Sequence, residues 1–379
     1  MTATDVKSGF SGIPQKAAGY PGVDMLRALA ASLVLAYHIA QLGKFNGLPD
    51  HALAKIFTTY GWIGVDLFLV ISGFVIALSA FSGVARDGTQ FRRPFAIRRL
   101  ARIVPLYLLT CALFVVLIQP SYLFIPKWAL LAHIGSHLLF VHNLMPATHG
   151  SINGPTWSVG LEMQFYLVMV WLAPWLARSS VWRVLLGALL VGAGWRFLTT
   201  LIWIPGEATV TTQFVYLTQL PGTIDQFALG IALALAMTRR NAFAARFLVV
   251  NWRTFTGWLL ISLVLLTLAM WMVRHYSYWT STSMLVAWRP LLGAGFAALL
   301  AAVVTLPIAG ARLFVPLRYL GTISYGIYLW HMLVIISVNR LVPDIGGRRF
   351  TLAVLMCTLV LASLSWHLLE KPNMKQYKR

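Results

Sequence analysis

Long apolar segments follow one another along the chain, and short polar stretches between them carry most of the charged residues. Each segment contains roughly 17–20 mostly apolar residues, the length at which an α-helix crosses the hydrocarbon core of a bilayer. The pattern predicts ten membrane-spanning helices. They are Met25–Leu42, Gly61–Ala80, Ile103–Gln119, Trp157–Leu176, Val184–Ile204, Pro221–Met237, Phe255–Val273, Trp288–Leu306, Leu320–Val338 and Phe350–Leu369.

The positions of the 30 Lys and Arg residues predict how these helices are oriented. Cytoplasmic loops of membrane proteins are enriched in both residues, and most of them fall on one side when the N-terminus is placed in the cytoplasm. An eleventh apolar stretch, Trp128–Leu144, would reverse every later helix and weaken this bias if it crossed. We therefore predict that Trp128–Leu144 is an interfacial or re-entrant helix and that both termini are cytoplasmic.

Composition supports a membrane protein. Hydrophobic residues make up 59% of the chain, charged residues 11%, and the mean hydropathy is +0.76. A soluble protein carries about twice this share of charged residues. The predicted fold class is an all-α polytopic membrane protein with about ten transmembrane helices. Residues 21–373 are expected to form the membrane domain, with a flexible cytoplasmic tail at 1–20 and a basic cytoplasmic tail at 374–379.

The net charge of +20 changes this picture little. The cations lie in short loops between lipid spans and accompany no aromatic nucleic-acid module, so we expect anionic membrane lipids and no nucleic acid as partners. Cys111 and Cys357 both fall inside predicted spans. They are expected to be packing residues rather than a disulfide framework.

Ionisable side chains inside the predicted helices are the candidates for chemistry, because lipid makes each of them costly. Counting inward from the outer ends of the helices places four of them about 6–8 Å deep and two more about 10–12 Å deep. A shared polar cavity that opens outward would account for this layer. The alternative is a set of structural hydrogen bonds between helices, with Arg196 neutralising Asp225. The shallower four are His38, Asp66, Glu162 and Asp225, and the deeper two are His331 and Arg196.

Basic residues at the cytoplasmic level form a second candidate group. Arg27 and His38 in RALAASLVLAYH are eleven residues apart, within about 20° of three full turns, so they share one helix face roughly 16 Å apart. Arg99 and Arg102 are three residues apart and also share a face. Together with Arg318 they suit a polyanionic ligand such as a phosphorylated cofactor. The alternative is that these cations only set the topology.

Six motifs occur in a fixed order along the chain: Arg27-x10-His38, GVDLFLVISGF, Arg99-x-x-Arg102, WSVGLEMQFY, SYGIYLWH and SWHLLEKP. In this order they resemble the membrane-bound acyltransferase family 3. The resemblance covers about residues 21–373. It implies a multi-pass protein of the bacterial inner membrane that takes an acyl group, usually acetyl, from cytoplasmic acyl-CoA. The implied acceptor is a hydroxyl of a surface polysaccharide, and in some branches an antibiotic or a lipid.

The resemblance also implies roles for individual residues. His38 would be catalytic with Arg27 as its partner, Arg99 and Arg102 would hold the acyl donor, and Glu162 falls at the acidic position of its motif. Imidazole suits this chemistry, because an alcohol attacking a thioester needs a base that works near neutral pH. Which carboxylate orients His38, Asp66 or Glu162, stays open, as does an acyl-imidazole intermediate.

The acceptor cavity would be lined by Trp157, Ser158, Asp225, Arg196 and His331. Trp157 offers a face on which a sugar would stack, although tryptophan is also favoured at membrane interfaces. Acetyl-CoA is the expected co-substrate, and we expect no metal. The competing function is a proton-coupled transporter or flippase of a glycan or lipid-linked sugar. The chain shows no internal repeat of the transporter type, and the Arg27–His38 arrangement also argues against this function.

Overall fold

The computed structural model describes residues 20–42, 52–205, 207–239 and 246–377. Within these ranges the chain is built from α-helices and short 3₁₀ and π turns. The α-helices are α1 Pro21–Leu42, α2 Ala52–Thr59, α3 Ile63–Asp87, α4 Arg92–Leu113, α5 Lys127–Leu138, α6 Pro146–His149, α7 Trp157–Leu176, α8 Val181–Ile202, α9 Val210–Leu217, α10 Leu220–Thr238, α11 Trp252–His275, α12 Thr282–Thr305, α13 Val315–Thr322, α14 Ser324–Leu341, α15 Gly347–Ser365 and α16 Lys371–Gln376.

The helices of the described residues confirm a polytopic membrane protein. Eight helical segments are long and apolar enough to cross a bilayer, and a bent pair brings the number to nine. One of the eight, Ile63–Ile118, has 56 residues and contains both α3 and α4. It would be about 84 Å long as a single rod, far more than one crossing requires. A helix therefore occupies each of the ten predicted spans, while their orientation stays a prediction.

The structure differs from the sequence pattern mainly at the helix ends. Helix α3 continues to Asp87, past the predicted end at Ala80. The apolar run marks the part of a helix that lies in lipid, and the helix itself can extend beyond it. The predicted span Leu320–Val338 is divided by a bend of 58° between α13 and α14. Helix α5 has 12 residues, about 18 Å, which is too short to cross the bilayer core.

The predicted N-terminal tail lies almost entirely outside the described residues, whereas most of the predicted C-terminal tail is described. Residues 1–19, 378 and 379 are not described. Helix α16 extends to Gln376, so residues 374–376 of the predicted basic tail are helical.

The described chain divides into two compact units. The first contains the described residues up to Leu26, together with Asp66–Ala96 and Gln164–Val315. Its helices α8, α10, α11 and α12 pack on one another. The second contains Arg27–Val65, Ile97–Met163 and the residues from Pro316 onward. There α14 packs along α15. The candidate site residues fall in both units.

Two glycines let α3 and α10 approach closely within the first unit. A Cβ on Gly73 would lie 2.1 Å from the carbonyl oxygen of Phe227, and one on Gly230 would lie 2.1 Å from that of Val70. No side chain larger than hydrogen fits at either position. Small residues serve this purpose in membranes, where helices associate by packing rather than by burying apolar surface.

Candidate active site

His38 lies near the C-terminal end of α1, and its ring is held by its own helix. Its Nδ1 is 3.0 Å from the carbonyl oxygen of Val34, one turn earlier. The ring of Tyr37 meets it edge to face, with 5.2 Å between the ring centroids. Helix α1 is unbroken from Arg27 to His38, so the predicted spacing of about 16 Å along one face is preserved.

A second histidine contacts the first. His331 on α14 is 1% exposed, and its Nε2 lies 3.2 Å from Nδ1 of His38. The two ring centroids are 4.9 Å apart. On its other side, His331 Nδ1 is 2.6 Å from the carbonyl oxygen of Tyr328. The second unit thus brings together two histidines that the sequence placed at different depths of one polar layer.

The phenol of Tyr328 connects α14 with the start of α7. Its hydroxyl lies 2.6 Å from Oγ of Ser158 and donates to the carbonyl oxygen of Pro155 at 2.7 Å. Glu162 lies one turn after Ser158 on α7, on the same face. It interacts electrostatically with Tyr328. Ser158 and Glu162, two predicted site residues, therefore share a neighbour in Tyr328.

The loop that leads into α7 is polar and buried. His142 Nε2 donates to the carbonyl oxygen of Thr156 at 3.0 Å, and its ring stacks on His137 at 4.1 Å. The amide of Asn153 donates to the carbonyl oxygen of Leu329 at 3.1 Å, which ties the loop to α14. Burial lowers the pKa of His142 to about 3. The loop is therefore held by uncharged imidazoles and amides.

Trp157, predicted to line the acceptor cavity, has one face already occupied. The imidazole of His149 stacks on the indole at 5.5 Å with an interplanar angle of 18°. Burial lowers the pKa of His149 to about 4, so this ring is neutral at pH 7. The face of the indole that His149 covers is therefore not open to a sugar ring.

Asp66 belongs to the first unit and forms a buried ion pair there. Its Oδ1 accepts from Nη1 of Arg289 at 2.9 Å and from the amide of Gln226 at 2.6 Å. Arg289 Nε donates in turn to the hydroxyl of Tyr278 at 3.0 Å. Each charge neutralises the other inside the membrane, so the ion pair alone can explain why Asp66 and Arg289 occur there.

Asp225 and Arg196 form a second buried ion pair in the first unit. Arg196 Nη2 lies 2.7 Å from Oδ2 of Asp225, and Nη1 donates to the carbonyl oxygen of Gly222 at 2.6 Å. The structural alternative given above for these two residues is therefore the arrangement found. The predicted layer is divided between the units, with Asp66 and these two in the first. His38, His331 and Glu162 belong to the second.

Arg102, a predicted donor-binding residue on α4, has a buried acidic neighbour in the second unit. Glu370 is 1% exposed and interacts electrostatically with Arg102. It ends a π-helical turn, Trp366–Glu370, a geometry that often marks functional sites. Ser365 Oγ donates to Oε1 of Glu370 at 3.5 Å, and Trp330 Nε1 donates to Ser365 at 3.3 Å. These contacts connect Arg102 to Trp330, the residue that precedes His331.

Comparison with known proteins decides the family. The acyltransferase domain model of family 3 matches residues 20–367, nearly the whole chain. The chain belongs to this acyltransferase family. No solved structure matches.

Curated relatives of this acyltransferase carry related names. "Peptidoglycan O-acetyltransferase OatA" of Listeria monocytogenes is 25% identical over 94% of this chain and 56% of its own length. "Putative peptidoglycan O-acetyltransferase YrhL" of Bacillus subtilis is 28% identical over 93% of this chain and 54% of its own length. "Putative membrane-bound transacylase BcsY" of Komagataeibacter xylinus is 26% identical over 94% and 83% respectively. The chain therefore spans about half the length of the first two.

Sequence reasoning missed three residues of this acyltransferase that the structure places at the candidate positions. Arg289 was not among the candidate residues, and Tyr328 and Glu370 were not singled out within their motifs. The SYGIYLWH and SWHLLEKP motifs were the available signal, since each contains one of the latter two. Across the described ranges, no three His, Cys, Asp or Glu side chains are arranged to hold a metal ion.

Proposed function

We propose that this membrane acyltransferase moves an acyl group, acetyl in the simplest case, from cytoplasmic acyl-CoA to a hydroxyl of a cell-surface or secreted polysaccharide. Its place would be the bacterial inner membrane. The family supports acyl transfer, and the names of the Listeria and Bacillus relatives support acetyl as the group and a glycan as the acceptor.

One observation carries the proposal. Arg27 and His38 lie on one face of an unbroken helix, and the His38 ring is fixed by the Val34 carbonyl oxygen. The guanidinium suits the phosphates of a CoA donor, and the imidazole suits proton transfer about 16 Å farther along the helix. A donor held at Arg27, Arg99 and Arg102 would extend its thioester along this face towards His38.

The reaction then follows from ordinary thioester chemistry. His38 removes the proton of the acceptor hydroxyl as its oxygen attacks the thioester carbonyl carbon. The tetrahedral intermediate collapses, the carbon–sulfur bond breaks, and the sulfur takes the proton from the imidazolium. We favour Glu162 over Asp66 as the carboxylate that orients His38, because Asp66 is already bonded to Arg289 and Gln226. Glu162 lies in the second unit, as His38 does.

The acceptor would be bound by Trp157 and Ser158. The indole of Trp157 suits stacking on a sugar, and the Ser158 hydroxyl can exchange hydrogen bonds with sugar hydroxyls. Asp225 and Arg196 are weaker acceptor-binding candidates, because each is committed to the other. Their ion pair and that of Asp66 also fit the competing transporter function, in which buried charges move protons.

The experiment that tests the proposal uses purified protein in proteoliposomes with radiolabelled acetyl-CoA and a peptidoglycan or polysaccharide acceptor. We expect release of the CoA thiol together with labelled ester on the glycan. A protein that neither binds nor cleaves acetyl-CoA would contradict acyl transfer and favour the transporter.

A further inference from the structure

The four ring nitrogens of His38 and His331 face different partners, and these partners decide where the protons lie. Nδ1 of His38 faces the carbonyl oxygen of Val34, and Nδ1 of His331 faces that of Tyr328. A carbonyl oxygen only accepts hydrogen bonds. Each Nδ1 must therefore carry a proton, since the tautomer of a histidine follows from its hydrogen-bond network.

With Nδ1 protonated, a neutral imidazole has a lone pair on Nε2. His331 Nε2 therefore accepts, and the Nδ1–H of His38, 3.2 Å away, is its donor. This proton is shared between His331 and the Val34 carbonyl oxygen. The opposite tautomer of His331 would point one N–H at another N–H. The arrangement leaves the lone pair of His38 on Nε2, the ring atom on the far side from both contacts.

We infer that His331 is a positioning residue that accepts from Nδ1–H of His38, reinforces the tautomer set by the Val34 carbonyl oxygen and stabilises the His38 imidazolium during acyl transfer, rather than a residue that binds the acceptor. The inference rests on the proposed function of His38. It assigns the proton-accepting atom to Nε2 of His38. Neutral His331 then takes the place that a carboxylate has in a catalytic triad, which orients the base through its other nitrogen.

The surroundings of His331 hold it in place. Three residues just before it on α14 are anchored outside their own helix: the phenol of Tyr328 to Pro155, the carbonyl of Leu329 to Asn153, and the indole of Trp330 to Ser365. Such anchoring matters because a positioning group must be ordered before the reaction begins.

The proton balance of the step is simple. His38 Nε2 takes one proton from the attacking hydroxyl and returns it to the departing sulfur. Nδ1–H of His38 stays in place, and its hydrogen bond to His331 Nε2 becomes charge-assisted while the imidazolium exists. His331 neither gains nor loses a proton. Because this bond strengthens only during the reaction, its loss lowers kcat more than it changes KM.

The kinetic test compares His331→Leu with His331→Gln. Leu removes His331 Nε2 and leaves the Val34 carbonyl oxygen as the remaining acceptor for His38 Nδ1–H, whereas the Gln amide oxygen can replace His331 Nε2. We expect His331→Leu to lower kcat by roughly 10- to 100-fold, the range for a charged hydrogen bond, with KM for both substrates within about twofold and most of kcat restored in His331→Gln. A rise in acceptor KM at unchanged kcat would overturn the inference and return His331 to the acceptor site.

His275→Gln is the matched control. His275 Nδ1 also faces the carbonyl oxygen of the residue four positions earlier, at 2.8 Å, but lies in the first unit on the exposed surface of α11. It should keep wild-type kinetics.

A spectroscopic test measures the tautomers without enzyme turnover, so its result does not depend on whether the proposed function is right. Wild-type protein with ¹⁵N-labelled histidine is compared with His38→Ala and His331→Gln to assign the two rings. We expect both to show the Nδ1–H tautomer, with Nε2 as the unprotonated nitrogen. An Nε2–H tautomer of His38 would overturn the inference even if His38 proves essential for transfer. If the wild-type protein shows the expected tautomers but no acyl transfer, only the proposed function is contradicted.

Discussion

Nε2 of His331 lies 3.2 Å from Nδ1 of His38, although 293 residues separate the two histidines along the chain. The contact joins the C-terminal part of α1 to the middle of α14 within one compact unit. It gives the predicted catalytic histidine a buried imidazole as its partner, where the sequence offered only carboxylates for this role.

The first prediction concerns the orientation of the helices. In a variant lacking Cys111 and Cys357, a cysteine at Lys127 should react with an impermeant thiol reagent added outside. A cysteine at Trp182 should react only after the membrane is opened. Both side chains are exposed at helix starts, so access depends on the side of the membrane. Outside labelling of both positions would contradict the ten-helix topology.

The second prediction concerns the acyl donor. Replacing Arg99 or Arg102 by Ala should weaken acetyl-CoA binding by roughly 10-fold or more, because a charge-assisted hydrogen bond to phosphate is lost. Lys should restore binding only in part, since it lacks the forked geometry of Arg. Isothermal titration of the purified variants measures the effect.

Arg93→Ala provides the control for this titration, because Arg93 is an exposed arginine about two and a half turns before Arg102 on the same helix and therefore on the opposite face. Its affinity should stay within about twofold. Equal losses in all three variants would mean that the basic residues act only through general charge.

The third prediction concerns the ion pair between Asp66 and Arg289. Asp66→Leu leaves a buried guanidinium without its counter-charge and should destabilise the fold by about 3–5 kcal/mol. Adding Arg289→Leu should recover much of this loss, since neither charge is then buried. Thermal unfolding in detergent measures both variants, and Asp87→Asn in the exposed pair with Arg86 should change stability by about 1 kcal/mol or less.

Transfer activity of the double variant decides the role of Asp66. If Asp66 only balances Arg289, the stable double variant should transfer acyl groups. A double variant that is folded yet inactive would return Asp66 to the catalytic group, and failure of the second substitution to restore stability would contradict the ion-pair account.

The fourth prediction is a pH dependence of the loop before α7. Burial lowers the pKa of His142 to about 3 and that of His149 to about 4, while in the unfolded chain each imidazole titrates near 6.5. Below about pH 6.5 the unfolded loop therefore binds more protons, and its stability falls as the pH drops towards 4. The loss approaches about 1.4 kcal/mol per pH unit for each histidine.

Hydrogen exchange of residues 139–156 at pH 7 and pH 5, corrected for intrinsic rates, measures this loss. His142→Gln keeps a donor for the Thr156 carbonyl but cannot be protonated, so it should reduce the pH dependence. Protection that is independent of pH in the wild type would show that these imidazoles do not hold the loop.

The sequence predicted the helices well because the length of an apolar run is a local property. The span Trp157–Leu176 has the observed bounds of α7. The bend at Ile323 was missed, since no proline or charge marks it. Side-chain partners were predicted least. Helix periodicity places Arg27 and His38 on one face, but it carries no information about a partner on another helix.

The ion pairs show the same limit from two sides. Arg196 and Asp225 were considered together because both are ionisable residues inside predicted spans, with Arg196 just beneath the level of Asp225. Arg289 and Asp66, separated by 223 residues, were not paired, since only packing of the helices determines which charges meet. Glu370 was hidden at the end of a span, where an acidic residue is common and needs no explanation.

The central claim is that His38 acts by accepting a proton, and substitution by glutamine tests it most directly. Cells producing His38→Gln or His38→Ala at wild-type level are compared by mass spectrometry for acyl esters on their surface glycans. Acetyl-CoA binding is measured on the purified proteins.

Glutamine keeps hydrogen bonding but cannot accept a proton at neutral pH. We predict that both variants bind acetyl-CoA as the wild type does and lose transfer by roughly 10²- to 10⁴-fold. Substantial transfer by His38→Gln would contradict the account, because it would show that the imidazole serves only as a hydrogen-bonding group.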